Sequence, residues 1–130
     1  MVAWWTTCVA GVTNRKQPGR SNMREWIVNP MGGARFKRDR DSEFSARGPV
    51  PRAELAASII AVVNEVSSVL QELPSERLLQ QYPIQTYSTS GLQAIYHVVE
   101  HFSYHLGQAL YIYKMRTAKD PGFYRHLSKD

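Results

Sequence analysis

A chain of 130 residues with 43% hydrophobic and 21% charged side chains has room for one domain with a modest core, and that balance excludes wholesale disorder. The formal charge of +5 would suit a polyanionic partner. The basic residues are interleaved with acids, however, as in RFKRDRDSEF from Arg35 to Phe44, which reads as a solvated loop rather than a phosphate-binding strip and makes nucleic acid an unfavoured partner.

The single cysteine, Cys8, cannot form an internal disulfide, and no histidine lies near it in sequence to activate it as a nucleophile. The apolar opening MVAWWTTCVAGV is too short to span a bilayer and lacks the basic region of a signal peptide, so the expectation is a cytoplasmic protein without a membrane partner. Residues 1–21 have no readable pattern and are set apart as an atypical segment. Residues 22–130 are expected to form a single helical domain. Its first element is a short helix in SNMREWIV, with Ser21 as N-cap, Glu25 in the first turn, and Met23, Trp26 and Ile27 on one face; Pro30, Gly32 and Gly33 are expected to end it. A loop of unusual length follows to position 50, the kind that often covers a functional site.

From Pro51 to Pro74 the apolar residues Leu55, Ile59, Val62, Val66, Leu70 and Leu73 recur at spacings of three and four, which predicts an amphipathic helix. Leu78 and Leu79 fit a short helical turn. PIQTYST, from Pro83 to Thr89, has β-branched residues but no evident partner strand, and reads as an extended connection. Ser90 and Gln93 have capping-box spacing at the start of a last long helix running to about Thr117, before Pro121 and Gly122 stop it. Its main apolar stripe is Leu92, Ile95, Val99, Phe102, Leu106, Leu110 and Tyr113. These elements predict an all-α protein, most simply a helical bundle.

The last helix carries HVVEHFSYHLGQ, which holds His97, His101 and His105, three of the four histidines. At helical spacing the row drifts slowly around the helix, beside the apolar stripe, with Gln108 close to the direction of His101. Histidines four apart can reach one metal ion, and such pairs suit zinc, nickel or copper. His97 and His105 are about 12 Å apart along the axis, so all three do not readily share one ion and a third ligand must come from elsewhere. The fourth histidine, His126, lies in the tail. The same spacing also fits histidines that are merely exposed or hydrogen-bonded on a helix flank, and spacing alone leaves both readings open. HVVEH matches the inverted zincin pattern, with Glu100 as general base, but no glutamate follows Glu100 to supply that class's third ligand, so the match is read as accidental.

The stretch GLQAIYHVVEHFSYHLGQALYIYKMRTAKDPGFYRHL resembles the C-terminal helix of the DinB-like superfamily, above all in His105-Leu106-Gly107-Gln108 with His101 four residues before it. NMREWIVNPMGGARFKRDRDSEFSARGPVPRAEL is similar to an uncharacterised bacterial subgroup of the same superfamily. The resemblance implies an up-down-down-up four-helix bundle, often a homodimer. It also implies a divalent metal, zinc or nickel, with His101 and His105 as two of three histidine ligands, and His97 and Gln108 as flanking or outer-sphere groups. Relatives include thiol-dependent transferases, which join a small thiol to an electrophile; hydrolytic chemistry at the metal is the other enzymatic option. The superfamily's third histidine falls four residues before Asn22, where Pro18 stands, and the first helix has no counterpart in the residues ahead of the match. The resemblance therefore implies a bundle incomplete at its N-terminal side, an altered or shortened start, and a site that lacks a ligand. The competing expectation is a non-catalytic helical protein that binds a partner. A basic nucleic-acid binder using Arg35, Lys37, Arg38 and Arg40 is the third.

Overall fold

The structure of the protein is a computed structural model and describes residues 18–45, 50–123 and 125–127. Cys8 and most of the segment set apart at the start therefore lie outside the described residues. The chain is mostly helical, with one small two-stranded sheet.

The first rod is longer than expected. Helix α1 (Pro18–Met23) runs without a break into a π-helical stretch, Arg24–Val28, and on into α2 (Asn29–Gly32). Ser21 is thus a buried residue inside the rod and not its N-cap. Pro30 does not end the rod; it changes its winding. Proline has no N–H to give the carbonyl of Trp26 four residues back, and its ring crowds that carbonyl. The chain widens by one residue per turn instead, and the N–H of Asn29 bonds the carbonyl of Arg24. Gly33 closes the rod with φ 71°: its N–H bonds the carbonyl of Asn29 at 3.1 Å and the N–H of Ala34 bonds that of Val28 at 3.3 Å.

The following loop is fixed by Asn29, whose side chain donates to the carbonyl of Phe36 at 2.6 Å and accepts from its N–H at 3.0 Å. A short helix, α3 (Arg40–Ser45), interrupts the region read as continuous loop. Helix α4 (Arg52–Glu72) begins after Pro51 and ends before Pro74, as its periodicity predicts. Its length and composition alone would also allow it to cross a membrane. Val62 is nevertheless buried in the core, and Glu65 pairs with Arg24 at 2.6 Å.

A 3-10 turn, Ser75–Leu78, leads to an antiparallel hairpin of β1 (Gln81–Ile84) and β2 (Tyr87–Ser90), in register Gln81↔Ser90 to Ile84↔Tyr87. The stretch read as an extended connection thus holds the end of β1, the turn and most of β2, and the all-α expectation stands in a coarser form, as a mostly helical protein with a small sheet. Two features hide the hairpin in the sequence. Its turn is Gln85-Thr86 and not Asn-Gly, with Gln85 itself at φ 55°, and Pro83 sits inside a strand that is paired on one side alone. Tyr82 and Ile84 point inward beneath the rod, while Gln81 and Pro83 are exposed. Arg77 ties this end together: its guanidinium donates to the carbonyls of Met31 at 3.1 Å and Pro30 at 3.4 Å, and to the Tyr82 hydroxyl at 3.2 Å.

Helix α5 (Gly91–Thr117) starts with the capping box that the sequence predicts, Ser90 Oγ accepting from Gln93 N–H and the Gln93 side chain accepting from Ser90 N–H. Gly91 is required there. A Cβ on it would stand 2.8 Å from the carbonyl oxygen of Arg77 and 3.2 Å from Leu78 Cα, both backbone atoms with little freedom to yield. Gly91→Ala should destabilise the fold by about 1–3 kcal/mol in urea unfolding, and an unchanged midpoint would show that the turn yields easily.

The core is Met23, Trp26, Ile27 and Met31 from the rod, Val62 from α4, Tyr82 and Ile84 from the hairpin, and Ala94 and Val98 from α5. The rod thus lies against both long helices. One expectation is corrected in part here. The apolar stripe read for α5 is packed only in part: Ile95 and Phe102 lie against the core, but Val99 is 57% and Leu106 51% exposed, and Leu92 and Tyr113 are also exposed. The packed face runs through Ala94 and Val98, toward the histidine row. Apolar periodicity records every face able to be buried; which face is buried depends on where the rod lies.

Candidate metal centre

Because α5 turns its Ala94–Val98 face to the rod, the histidine row is turned inward with it. His97 stacks on Trp26, the ring centroids 3.8 Å apart and the planes 25° from parallel. Tyr87 flanks the same indole at 6.1 Å. His101 stacks on His97 at 5.7 Å, and His105 meets His101 edge-on at 4.5 Å. The result is an aromatic column: Trp26, His97, His101, His105.

The end of the column carries the chemistry. The Nε2 atoms of His101 and His105 are 3.1 Å apart. On the far side of His105, Nδ1 is 3.3 Å from Gln108 Oε1. An amide oxygen can only accept, so Nδ1 carries the hydrogen and Nε2 of His105 presents its lone pair toward His101. Two nitrogens each about 2.0–2.1 Å from a tetrahedral zinc stand about 3.3 Å apart, so the observed spacing is close to the bite that one ion needs. Gln108 occupies the position of an outer-sphere partner that fixes tautomer and ring direction. The donor chemistry therefore fits a borderline metal such as zinc or nickel.

Electrostatics favour the ligating, neutral imidazole. Burial pushes the pKa of His101 down from 6.5 to about 4, with His105, His97 and the Arg38 guanidinium adding to the effect. Burial also lowers that of His97, against a weaker opposing effect of Glu100. Arg38 is brought near the site by the Asn29-fixed loop and is held by Glu25 at 3.1 Å, while Glu25 also accepts from Gln85 Nε2 at 2.9 Å.

The structure thus separates the predicted site residues. His101, His105 and Gln108 come together, His97 is engaged by Trp26, and His126 is exposed in the 3-10 turn Arg125–Leu127. Glu100 is exposed on the flank of α5. Of the proposed basic strip, Arg35 and Lys37 are exposed but Arg38 is turned inward against Glu25. Among the described residues no group of three or more His, Cys, Asp or Glu side chains surrounds one point. Trp26 and Arg38 are the neighbours of the site that sequence reasoning missed. Both lie far from the histidines in the chain, and neither belongs to a ligand motif.

Fold and site together define a mostly helical domain in which a long helix turns a row of imidazoles against an aromatic wall. Residues 20–128 match the family described as a protein of unknown function, DUF1572, and the chain belongs to that family. No curated protein and no solved structure matches the chain.

Proposed function

We propose that this chain is a DinB-like protein that holds a divalent cation, zinc or nickel, between His101 and His105. The observation that carries the reading is the 3.1 Å Nε2–Nε2 separation, with Gln108 on the outer nitrogen of His105. The four-helix arrangement of that superfamily belongs to the same reading, as does a homodimer. A bound cation would supply Lewis acidity and stabilise a thiolate at neutral pH, the form that attacks an electrophile. This chain's own residues would position the ion: Gln108 sets the His105 tautomer, and the Trp26–His97 stack supports the His101 ring from below. A small-molecule thiol is the substrate class that this chemistry suits best, with hydrolysis as the alternative at the same centre.

Metal analysis of the purified protein beside the His101→Ala/His105→Ala double variant tests the proposal. The wild type should retain close to one zinc or nickel per chain after incubation and desalting, and the double variant close to none. Equal metal in both would remove the assignment.

A second reading draws on the outer face of α5, where Leu92, Tyr96, Val99 and Leu106 are exposed in one apolar band. Such a band suits a non-catalytic helical protein that docks a partner. The two readings differ in metal content and are separated by the same measurement.

A further inference from the structure

The aromatic column at the candidate centre is closed at one end and open at the other. Trp26, at the His97 end, is 7% exposed and belongs to the core. Tyr104 meets His105 at the far end, with ring centroids 5.8 Å apart and planes at 60°, yet it is 58% exposed. Helix spacing fixes where Tyr104 stands. It comes three residues after His101 and four before Gln108, so it adjoins both along the surface of α5. A single exposed ring thus borders all three side chains of the metal reading.

The two flanks of the histidine row differ in the same way. Val98 and Phe102 lie about 60° and 100° to one side of His101, in the core and packed against it. Tyr104 and Tyr111 lie about 60° and 80° to the other side, and they are 58% and 55% exposed. The core therefore closes one flank, and the Trp26–His97 stack closes the column from below. Among the described residues, the solvent-facing approach to the pair is the one past Tyr104. Along that flank α5 sets Glu100, Tyr104, Tyr111 and Met115, all exposed. Two phenol rings, a thioether and a carboxylate match a flat, uncharged, apolar group better than an anionic one.

We propose that Tyr104 is a specificity-determining residue: its exposed ring is the surface on which the organic group of a ligand held at His101 and His105 rests, and it favours a thiol that carries an aromatic group. The inference rests on the metal-binding reading above. It adds the side of the centre that the ligand occupies and the kind of carbon skeleton it carries. Aromatic rings attract one another in offset or edge-on arrangements, and such pairs contribute beyond the burial of area alone. Tyr104 is already braced by His105, so its ring has less side-chain freedom to lose when a ligand arrives.

The test loads the whole chain with cobalt(II) in place of zinc and titrates it with phenylmethanethiol and with ethanethiol, reading the thiolate-to-cobalt absorption band. Wild type should bind phenylmethanethiol about threefold or more tightly than ethanethiol. Tyr104→Ala should weaken phenylmethanethiol about three- to tenfold and leave the affinities for ethanethiol and for cobalt unchanged. Tyr104→Phe should keep the preference, because the ring and not the hydroxyl makes the contact. Tyr96→Ala, which removes an exposed ring from the outer face of α5, should keep it too. The role of Tyr104 is overturned, with the metal centre left intact, if wild type shows no preference or Tyr104→Ala retains it. Tyr104→Phe losing as much as Tyr104→Ala overturns it as well. So does a Tyr104→Ala variant that weakens cobalt itself or both thiols in step, since the ring would then only brace His105. If Tyr104→Ala fails to fold, Tyr104→Gln takes its place in the same comparison. Wild type that binds no cobalt, or shows no thiolate band with either thiol, overturns the metal–thiol reading and this inference together.

Discussion

Trp26→Ala should destabilise the protein by about 3–5 kcal/mol in equilibrium urea unfolding, a loss large enough to leave much of the chain unfolded. Trp26 sits where the rod, the hairpin and α5 meet: it belongs to the core cluster, flanks Tyr87 and stacks on His97. Truncation removes the largest aromatic surface in that cluster and leaves a cavity bounded by three elements that cannot all close on it. Trp26→Phe is the informative companion. The indole Nε1–H is buried with no hydrogen-bond partner among the described residues, so phenylalanine discards a donor that gains nothing in the folded state while keeping a ring for His97 to stack on. The Phe variant should lose no more than about 1.5 kcal/mol. A Trp26→Ala variant that unfolds within about 1 kcal/mol of wild type would mean that the rod is not held to α5 through this residue.

His101 should remain uncharged down to about pH 4, against the usual 6.5 for histidine. Burial is the main cause, and the neighbouring imidazoles and Arg38 act in the same direction. The sign for stability follows. The pKa is lower in the folded state than in the unfolded chain, so between about 6.5 and 4 the unfolded chain binds the extra proton. Stability is therefore complete above pH 6.5 and falls as the pH drops through that window. A proton NMR titration of the ring resonances, assigned with His101→Gln, reads the pKa directly. Urea midpoints at pH 7 and pH 5 should differ in wild type and differ less in His101→Gln. A His101 resonance titrating near 6.5 would show that the ring is hydrated, and the inward face of α5 would have to be reassigned. The same neutrality keeps Nε2 available to a cation in mildly acidic solution, where an exposed histidine pair would already be protonated.

Much of this was legible in the sequence, for identifiable reasons. Helix α4 lies between two prolines and carries an apolar period, so both its existence and its ends could be read. The start of α5 is encoded in Ser90 and Gln93, three residues apart, which is local information. The pairing of His101 with His105 and Gln108 is also local, since four- and three-residue spacings place them on one side of one helix. What the sequence hid was non-local or masked by a competing signal. The stripe through Leu92, Val99 and Leu106 is the more apolar face of α5, yet the rod packs on the face of Ala94 and Val98. The hairpin lacks a glycine in its turn and contains a proline in a strand. Trp26 reaches His97 across a sequence separation that no spacing rule covers.

The π-helical stretch from Arg24 to Val28 has one more consequence. The buried residues of the rod come as two triplets, Ser21–Met23 and Trp26–Val28, followed by Met31. The triplets are five residues apart, one more than an α-helix would set between equivalent positions. The rod therefore has two helical phases joined at a seam. Residues before the seam are rotated by about 100° from where uninterrupted α-helical counting back from Trp26 would put them. A ligand position transferred along the chain by counting alone would be assigned to the wrong side of the helix.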